Sequence, residues 1–288
     1  MATSGSFFYS NFKMKNVIAI QGIQGSFHHQ VAQEYFGKEV NVKPCDSFPK
    51  LMQELSEGVI HQGIMAIENS IAGSILPNYA LIDDNKVHII GEHYIPIHMN
   101  LMALNGQSIE DIVEVRSHPI ALLQCKNFFE KYPKIKLVED TDTADVARQI
   151  SEENLTGIAA VASRTAASIF GLDILADGIH TVKNNSTRFL ILSSNGHLVN
   201  KEEIDKASLK FELDQEHGNL ASVLNILNDC NLNLTKIQSL PIIEFPWKYS
   251  YFIDVTFKTY SEYDKAKDIL GIITEELKVL GEYKNGRL

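Results

Sequence analysis

One local order recurs along residues 16–170 of the chain: a short apolar run, a polar turn, and then a helical pattern. The apolar runs lie at 17–20, 64–67, 113–116, 136–138 and 157–162, and most of them meet Ser, Thr, Asp or Asn before the next helical pattern. This order is typical of an α/β fold with mainly parallel strands. The chain is therefore predicted to be α/β in its larger part.

The polar turns have a local explanation and a collective one. Ser, Thr, Asp and Asn accept hydrogen bonds from the first N–H groups of a helix, and Pro119 suits a first helical position. Capping alone explains any single turn. Together, helix N-termini at the carboxyl edge of a parallel sheet favour anions. The pattern thus predicts a site for a small polyanion, assisted by Arg116, Arg164, Lys183 or Arg188.

The pattern changes after Gly196. Residues 200–205 are predicted to be a linker, followed by strands at 207–213, 232–242, 250–257 and 279–283 and helices at 220–227 and 263–277. That βαββαβ order predicts a ferredoxin-like unit. We therefore divide the chain into a tail at 1–15, a first domain at 16–199 and a second at 206–288.

Composition excludes several classes of function. The 288 residues carry a net charge of -10, which argues against broad nucleic-acid binding. The three cysteines, Cys45, Cys125 and Cys230, lack paired spacing, which favours a reduced, cytoplasmic protein without disulfides or zinc. No apolar run is long enough to span a bilayer, so no membrane partner is expected.

The stretch NNSTRF at 184–189 opens a predicted strand. Strand alternation puts Thr187 and Phe189 on one face and Arg188 on the other. A hydroxyl donor, a planar cation and an aromatic wall suit an anionic substrate with an apolar ring. An arginine on a surface edge strand is the alternative, and the residues alone leave both open.

Other motifs carry weaker signals. The turn at 22–29 matches neither phosphate-binding glycine pattern, so a tight turn and a ligand loop are both open. Glu68, Asn69 and Ser70 end a predicted strand and serve as either a cap or site residues. Ser117 and His118 are neighbours, a spacing that rarely gives nucleophile–base geometry. No His, Asp or Glu cluster has metal-ligand spacing.

Six stretches resemble, in order and spacing, the motifs of the prephenate dehydratase family. They are GIQGSFHHQVA, AIENSIAGS, SHPIALLQC, DTADVA, AAVASRTAA and NNSTRF. The later stretch GNLASVLNILNDCNLNLTKIQSLP resembles the ACT regulatory domain that follows in that family. The two resemblances cover nearly the whole chain beyond the tail.

The resemblance implies a two-lobed, periplasmic-binding-protein-like catalytic domain with its site between the lobes. It implies decarboxylative dehydration of prephenate to phenylpyruvate, without a metal or organic cofactor because aromatisation drives the reaction. Thr187 would donate to the departing hydroxide. Arg188 would bind a substrate carboxylate, directly or by ordering the cleft. The other implied cleft residues are Ser26, Glu68, Asn69, Ser70, Thr143 and Phe189.

The resemblance also implies an effector site for phenylalanine and a homodimer or homotetramer. The implied effector residues are Gly218, Asn219, Leu220, Gln238, Ser239 and Pro241. Where the family has E-S-R-P, this chain has Gln238 and Leu240 for the acid and the arginine, so weaker phenylalanine binding is expected. His28 stands where the family usually has Ser or Thr, and Val31 where it commonly has Ala.

Two further functions stay open. Arogenate dehydratase runs the same elimination on the amino-acid form of the substrate. A non-catalytic small-molecule sensor is the second alternative, against which stand the complete Thr187-Arg188-Phe189 motif and the lack of a helix-turn-helix pattern.

Overall fold

The computed structural model describes residues 17–85, 87–196, 200–214 and 219–287. Within these residues the strands form two sheets, one of ten strands and one of five. The predicted α/β class is confirmed, with two lobes followed by a βαββαβ unit. The predicted tail at 1–15 and Gly218 lie outside the described residues.

The first lobe is built mainly from the N-terminal part of the chain. Its strands are β1 (Val17–Gln21), β2 (Asn41–Cys45), β3 (Gln62–Asn69), β4 (Gly73–Ser74) and β5 (His88–Pro96). Its helices are α1 (Phe27–Phe36), α2 (Phe48–Ser56) and α3 (Leu76–Asp84).

The second lobe follows without a break. Its strands are β6 (Asn100–Ala103), β7 (Glu114–Ser117), β8 (Lys136–Glu139), β9 (Ile158–Ala162) and β10 (Asp173–Ala176). Its helices are α4 (Pro119–Gln124), α5 (Lys126–Phe129), α6 (Thr143–Glu152) and α7 (Arg164–Phe170), with a 3₁₀ turn at Ile109–Asp111. Cys125 leaves the helical conformation and separates α4 from α5.

Strand β11 (Ser186–Ser193) returns from the second lobe and lies between β3 and β5 in the first. Two chain segments therefore link the lobes, and Ile97 of one donates its N–H to the Asn185 carbonyl of the other. The parallel strands are β2-β1-β3 and β8-β7-β9, whereas β5, β6, β10 and β11 pair antiparallel with their neighbours in the lobes. The prediction of mainly parallel strands holds only for those two groups.

The C-terminal unit follows a 3₁₀ turn at Lys201–Glu203. It consists of β12 (Lys206–Glu212), α8 (Asn219–Asp229), β13 (Asn233–Pro241), β14 (Tyr249–Thr256), α9 (Tyr260–Ile273) and β15 (Glu276–Tyr283). The helix predicted to run to Leu277 is too long at its end. Thr274 is extended, and Leu277 already pairs with Phe211 in the sheet.

The sheet of the C-terminal unit continues that of the first lobe. Strand β15 pairs with β5 in parallel, with Gly281 opposite Ile89. A Cβ atom at Gly281 would overlap the Ile89 carbonyl oxygen, so only glycine permits this approach. The joint core contains Phe252, Leu280 and Tyr283 packed with apolar residues of the first lobe.

Two structural observations bear on the predictions from composition. The three cysteines are buried free thiols. Among the residues that the structure describes, no helix is long and apolar enough to cross a membrane.

Candidate active site

The pairing of β11 with β3 divides the residues of the two central motifs, at 68–70 and 184–189, between the two faces of the sheet. Thr187 lies opposite Asn69, and Arg188 lies opposite Glu68. Because successive side chains of a strand alternate, Thr187 and Asn69 share one face and Arg188 and Glu68 share the other. The first face borders the cleft between the lobes, and the second faces the C-terminal unit.

The cleft has a volume of about 540 Å³ and takes side chains from both lobes. The first lobe contributes Ser26, His28, Phe48, Asn69, Thr187 and Phe189, among others. The second lobe contributes His118, Ile120, Gln124, Thr141, Asp142 and Thr143. Of the predicted cleft residues, Ser26, Asn69, Thr143, Thr187 and Phe189 are therefore brought together.

The hydroxyl of Thr187 is held as a donor. Asn69 Nδ2 donates to Thr187 Oγ1 at 2.9 Å. The Asn69 amide has a defined orientation because its Oδ1 accepts the N–H groups of Ile71 and Ala72 at 3.0 and 2.9 Å. With Oγ1 accepting from Asn69, the single proton of Thr187 remains available for a group in the cleft.

A short hydrogen-bonded chain connects this pair to the second lobe. Asn69 Nδ2 also donates to Asn185 Oδ1 at 2.7 Å, and Asn185 Nδ2 donates to Gln124 Oε1 at 3.0 Å. Sequence reasoning missed Gln124 and Asn185 as site residues, although both lie in the quoted motifs. Gln124 is on α4, so these hydrogen bonds link the Thr187–Asn69 pair to the second lobe.

Three helices present their N-termini to the cleft through serine or aspartate capping residues that line it. Ser26 accepts from His29 N in α1, Ser47 accepts from Lys50 N in α2, and Asp142 accepts from Ala144 N in α6. Helix N-termini carry unpaired N–H groups and a partial positive charge. Among the described lining residues there is no lysine or arginine, so these termini are the groups of the described cleft wall that favour an anion.

Arg188 does not enter the cleft. Its Nε donates to Glu92 Oε2 at 2.7 Å, its Nη2 donates to the Tyr283 hydroxyl at 3.0 Å, and its Nη1 donates to Asp254. Burial disfavours the charge, but the Asp254 carboxylate and other neighbours raise the pKa of Arg188 well above its usual value. The direct contact with a substrate carboxylate expected for Arg188 is thus replaced by these bonds, because strand alternation turns its side chain to the other face.

Glu68 and Ser70 lie on that other face as well. Glu68 Oε1 is 2.7 Å from Lys236 Nζ, and Ser70 Oγ donates to the Asn184 carbonyl at 3.2 Å. Both border a second cavity of about 520 Å³ between the first lobe and the C-terminal unit. The expectation that they line the substrate cleft does not fit these positions.

The other expected cations are also engaged away from the cleft. Arg116 pairs with Glu114 at 2.7 Å, Arg164 pairs with Asp177 at 2.7 Å, and Lys183 donates to the Gly178 carbonyl. The predicted anion site therefore has its helix N-termini but none of the four predicted cations, Arg188 included.

The expected effector residues that are described lie on two elements of the C-terminal unit. Asn219 and Leu220 begin α8, and Gln238, Ser239 and Pro241 belong to β13. Gln238 Nε2 donates to the Ser239 carbonyl at 3.0 Å. Leu240, at the position of the family's arginine, packs against the joint core of the first lobe and the C-terminal unit.

His28 is a neutral base inside the cleft wall. Its Nε2 accepts the Ala66 N–H at 3.3 Å, and its ring packs edge-on against Phe189 at 5.0 Å. Burial lowers the pKa of His28 to about 3. Burial also raises the pKa of Asp142, which caps the opposite wall.

The residues 18–197 match the family model described as prephenate dehydratase. The chain belongs to the prephenate dehydratase family. Its relatives in this family are hydro-lyases, and two of them show how far the likeness extends. Arogenate dehydratase 2 of Petunia hybrida is 34% identical over 298 residues, covering 98% of this chain and 73% of the relative. The bifunctional chorismate mutase/prephenate dehydratase of Aquifex aeolicus (strain VF5) is 32% identical over 280 residues, covering 96% and 76%.

Solved structures share the arrangement of all three parts. Prephenate dehydratase from Arthrobacter aurescens in complex with L-Phe gives a TM-score of 0.85 at 25% identity, over 94% of this chain and 90% of that one. GqqA, described as a novel type of quorum quenching acylase, gives a TM-score of 0.85 at 25% identity, over 94% and 98%.

The neutral His28 of this prephenate dehydratase family member predicts a pH dependence of stability. The pKa of His28 is about 3 when folded, against roughly 6.5 for an unfolded histidine, so between these values only the unfolded state binds the proton. Stability therefore falls as pH drops through this window, by up to about 1.4 kcal/mol per pH unit. We expect His28→Asn, which keeps an acceptor for Ala66, to remove about one proton of uptake on unfolding near pH 5.

Urea unfolding of wild type and variant at several pH values between 4 and 7.5 measures this uptake. His28→Ser, with a different loss of packing, should remove the same pH slope. Equal slopes in wild type and both variants would show that His28 titrates normally in the folded protein.

Proposed function

We propose that the cleft catalyses the decarboxylative dehydration of prephenate to phenylpyruvate, a step of phenylalanine biosynthesis. The observation that carries the proposal is the hydrogen bond from Asn69 to Thr187, which leaves the threonine proton free to donate into the cleft. An elimination that expels hydroxide needs such a donor at the leaving oxygen. The family of the chain supports the same activity.

The reaction releases carbon dioxide and water from a ring that becomes aromatic. The electron pair of the breaking bond to the carboxylate moves into the ring, and the ring carbon–oxygen bond breaks on the opposite side. Thr187 donates a hydrogen bond to the departing oxygen, which leaves as hydroxide and takes up one proton from the solvent to become water. One donor oriented in advance in a desolvated site contributes about 3–4 kcal/mol to such a step.

The rest of the cleft suits the two ends of this substrate. Phe48 and Phe189 provide apolar walls for the ring, with Ile75 and Met99 beside them. The N-termini of α1, α2 and α6 provide N–H donors for the two carboxylates. Helix termini on both lobes let one dianion hold the cleft closed.

Arogenate is the second candidate substrate, and one observation favours it. Its 2-amino group carries a positive charge, and the carboxylates of Asp46 and Asp142 border the cleft. Relatives of the chain carry either activity in their names, and two of Arabidopsis thaliana carry both. Both substrates require the same donor at the leaving oxygen, so the assay below includes both.

Hydrolysis by a serine nucleophile has less support, despite the likeness to the acylase GqqA. In the described part of the cleft, no serine hydroxyl is hydrogen-bonded to a histidine ring; Ser26 and Ser47 accept from backbone N–H groups. Formation of the aromatic product would by itself exclude a sensor that binds the substrate without turnover.

The decisive experiment is turnover of purified protein with prephenate and with arogenate, followed by the aromatic product. Thr187→Ala is expected to lower kcat by roughly 10²- to 10³-fold, as for loss of one oriented donor. Thr187→Ser keeps the hydroxyl and is expected to retain most of the activity.

Circular dichroism and thermal unfolding of both variants check that the fold is kept. Near-normal kcat in Thr187→Ala would remove Thr187 from the chemistry. Absence of any aromatic product from wild type with either substrate would reject the proposed activity.

We further propose that the βαββαβ unit is an ACT regulatory domain that binds phenylalanine and pairs two chains. Strand β13 is one edge of the ten-stranded sheet. Beside that edge, Ile243 is 92% exposed and Phe245 is 59% exposed. An exposed edge with apolar side chains favours pairing with a second copy, as a homodimer or a homotetramer. A cytoplasmic location stays a prediction, because the Arabidopsis thaliana relatives are named as chloroplastic.

Phenylalanine is expected to inhibit more weakly than in relatives that keep the glutamate and arginine of the motif. The double change Gln238→Glu with Leu240→Arg restores both charges together and should tighten phenylalanine binding. Calorimetry and activity titrations of wild type and double variant measure it, and light scattering gives the oligomeric state. No binding to either protein at millimolar phenylalanine, or a monomer at all concentrations, would contradict the regulatory proposal.

A further inference from the structure

Arg188 ties the strand that carries Thr187 to the C-terminal unit. Its guanidinium bonds Glu92 on β5, Asp254 on β14 and the Tyr283 hydroxyl on β15. Two of these three partners belong to the C-terminal unit. The neighbours of Arg188 along the chain, Thr187 and Phe189, both line the cleft.

The partners of Arg188 are themselves fixed. Lys206 Nζ donates to both oxygens of Glu92 at 2.8 Å. Ser208 Oγ donates to Asp254 Oδ1 at 2.5 Å and is 2.6 Å from the Tyr283 hydroxyl. Two positive and two negative side chains thus form one closed network, and each is less than a tenth exposed. Such a buried network has few alternative arrangements, so a shift of β14 or β15 moves Arg188 with it.

A second link, from Lys236, reaches the residue next to Asn69, which donates to Thr187. Lys236 on β13 is 2.7 Å from Glu68 Oε1 and donates to Ser74 Oγ at 2.7 Å. Glu68 immediately precedes Asn69, whose amide donates to Thr187. Lys236 lies two positions from Gln238, in the strand that carries the proposed effector motif.

The pairing of β11 with β3 is irregular at Arg188 and Glu68, the two residues that these links reach. Arg188 pairs with Glu68, but Phe189 pairs with Ala66, so the register of β11 against β3 shifts at this step. A bulge leaves one residue outside the ladder and loosens the local pairing. The separation of Thr187 from Asn69 therefore depends on the anchors at Arg188 and Glu68 as well as on backbone hydrogen bonds.

We propose that Arg188 and Glu68 are positioning residues through which the C-terminal unit sets the geometry of the Thr187–Asn69 hydrogen bond. Through Arg188, a displacement of β14 or β15 moves the strand of Thr187. Through Glu68, a displacement of β13 moves the strand of Asn69. Neither side chain touches the substrate. The inference rests on the proposed dehydratase activity for its kinetic consequence, whereas its structural consequence at Thr187 is measurable without turnover.

Two variants each weaken one of these links without introducing a charge. Tyr283→Phe removes the hydroxyl that Arg188 Nη2 bonds, and Lys236→Met removes the cation that holds Glu68. Each is expected to lower kcat between roughly threefold and 100-fold, the range for misplacement of a reacting group by up to about 1 Å. KM is expected to stay within about twofold, because the helix N-termini that hold the substrate are unchanged.

Asp83→Asn is the matched control. Asp83 at the end of α3 pairs with Lys210 at 3.0 Å and with Lys278 at 2.8 Å, so it also joins the first lobe to the C-terminal unit. It contacts neither link. The control is expected to lose thermal stability while keeping the kcat of wild type.

The readout without activity is the NMR signal of the Thr187 methyl group, assigned by its loss in Thr187→Ser. It is expected to shift in Tyr283→Phe and Lys236→Met and to stay unchanged in Asp83→Asn. An unchanged signal in both link variants, or an equal fall of kcat in the Asp83→Asn control, would overturn the inference. If wild type turns over neither substrate, the proposed function fails, and the methyl signal still decides whether the links position Thr187.

Discussion

The antiparallel register between β3 and β11 decides what each residue of the two central motifs can do. With Thr187 opposite Asn69 and Arg188 opposite Glu68, one pair of side chains forms the donor of the cleft and the other pair joins the C-terminal unit. A slip of one residue would exchange the two faces. The proposed donor of the cleft and two of the contacts to the C-terminal unit therefore lie on neighbouring residues of the same two strands.

Because Arg188 lies on the face away from the cleft, the cleft does not hold an anion with this arginine. Arg188 is 4% exposed and surrounded by partners, so it is not available to a dianion entering from the other side of the sheet. Removing one partner of such a buried pair costs about 3–5 kcal/mol, since a charge then stays buried without compensation. In the proposed reaction the substrate carboxylates are therefore assigned to helix N-termini, which bind anions through fixed backbone dipoles.

The sequence was sufficient for the parts that depend on local periodicity. Alternation at 186–189 predicted that Thr187 and Phe189 share a face and that Arg188 lies opposite, and the structure agrees. The same rule applied to Glu68 and Ser70 would have separated them from Asn69. The bonds from Asn185 to Gln124 and from Arg188 to Asp254 join residues 61 and 66 positions apart, so no local pattern predicts them. The end of α9 was misjudged because pairing of Leu277 in the sheet overrides its helical pattern.

A double-mutant cycle between Thr187 and Tyr283 tests the central claim, that residues on the far face act through the threonine. The quantity to measure is the kcat ratio of Tyr283→Phe to its parent, once in wild type and once in the Thr187→Ala background. If Tyr283 acts only by positioning the threonine hydroxyl, the fall seen in wild type disappears in the Thr187→Ala background. An equal fall in both backgrounds would contradict the account.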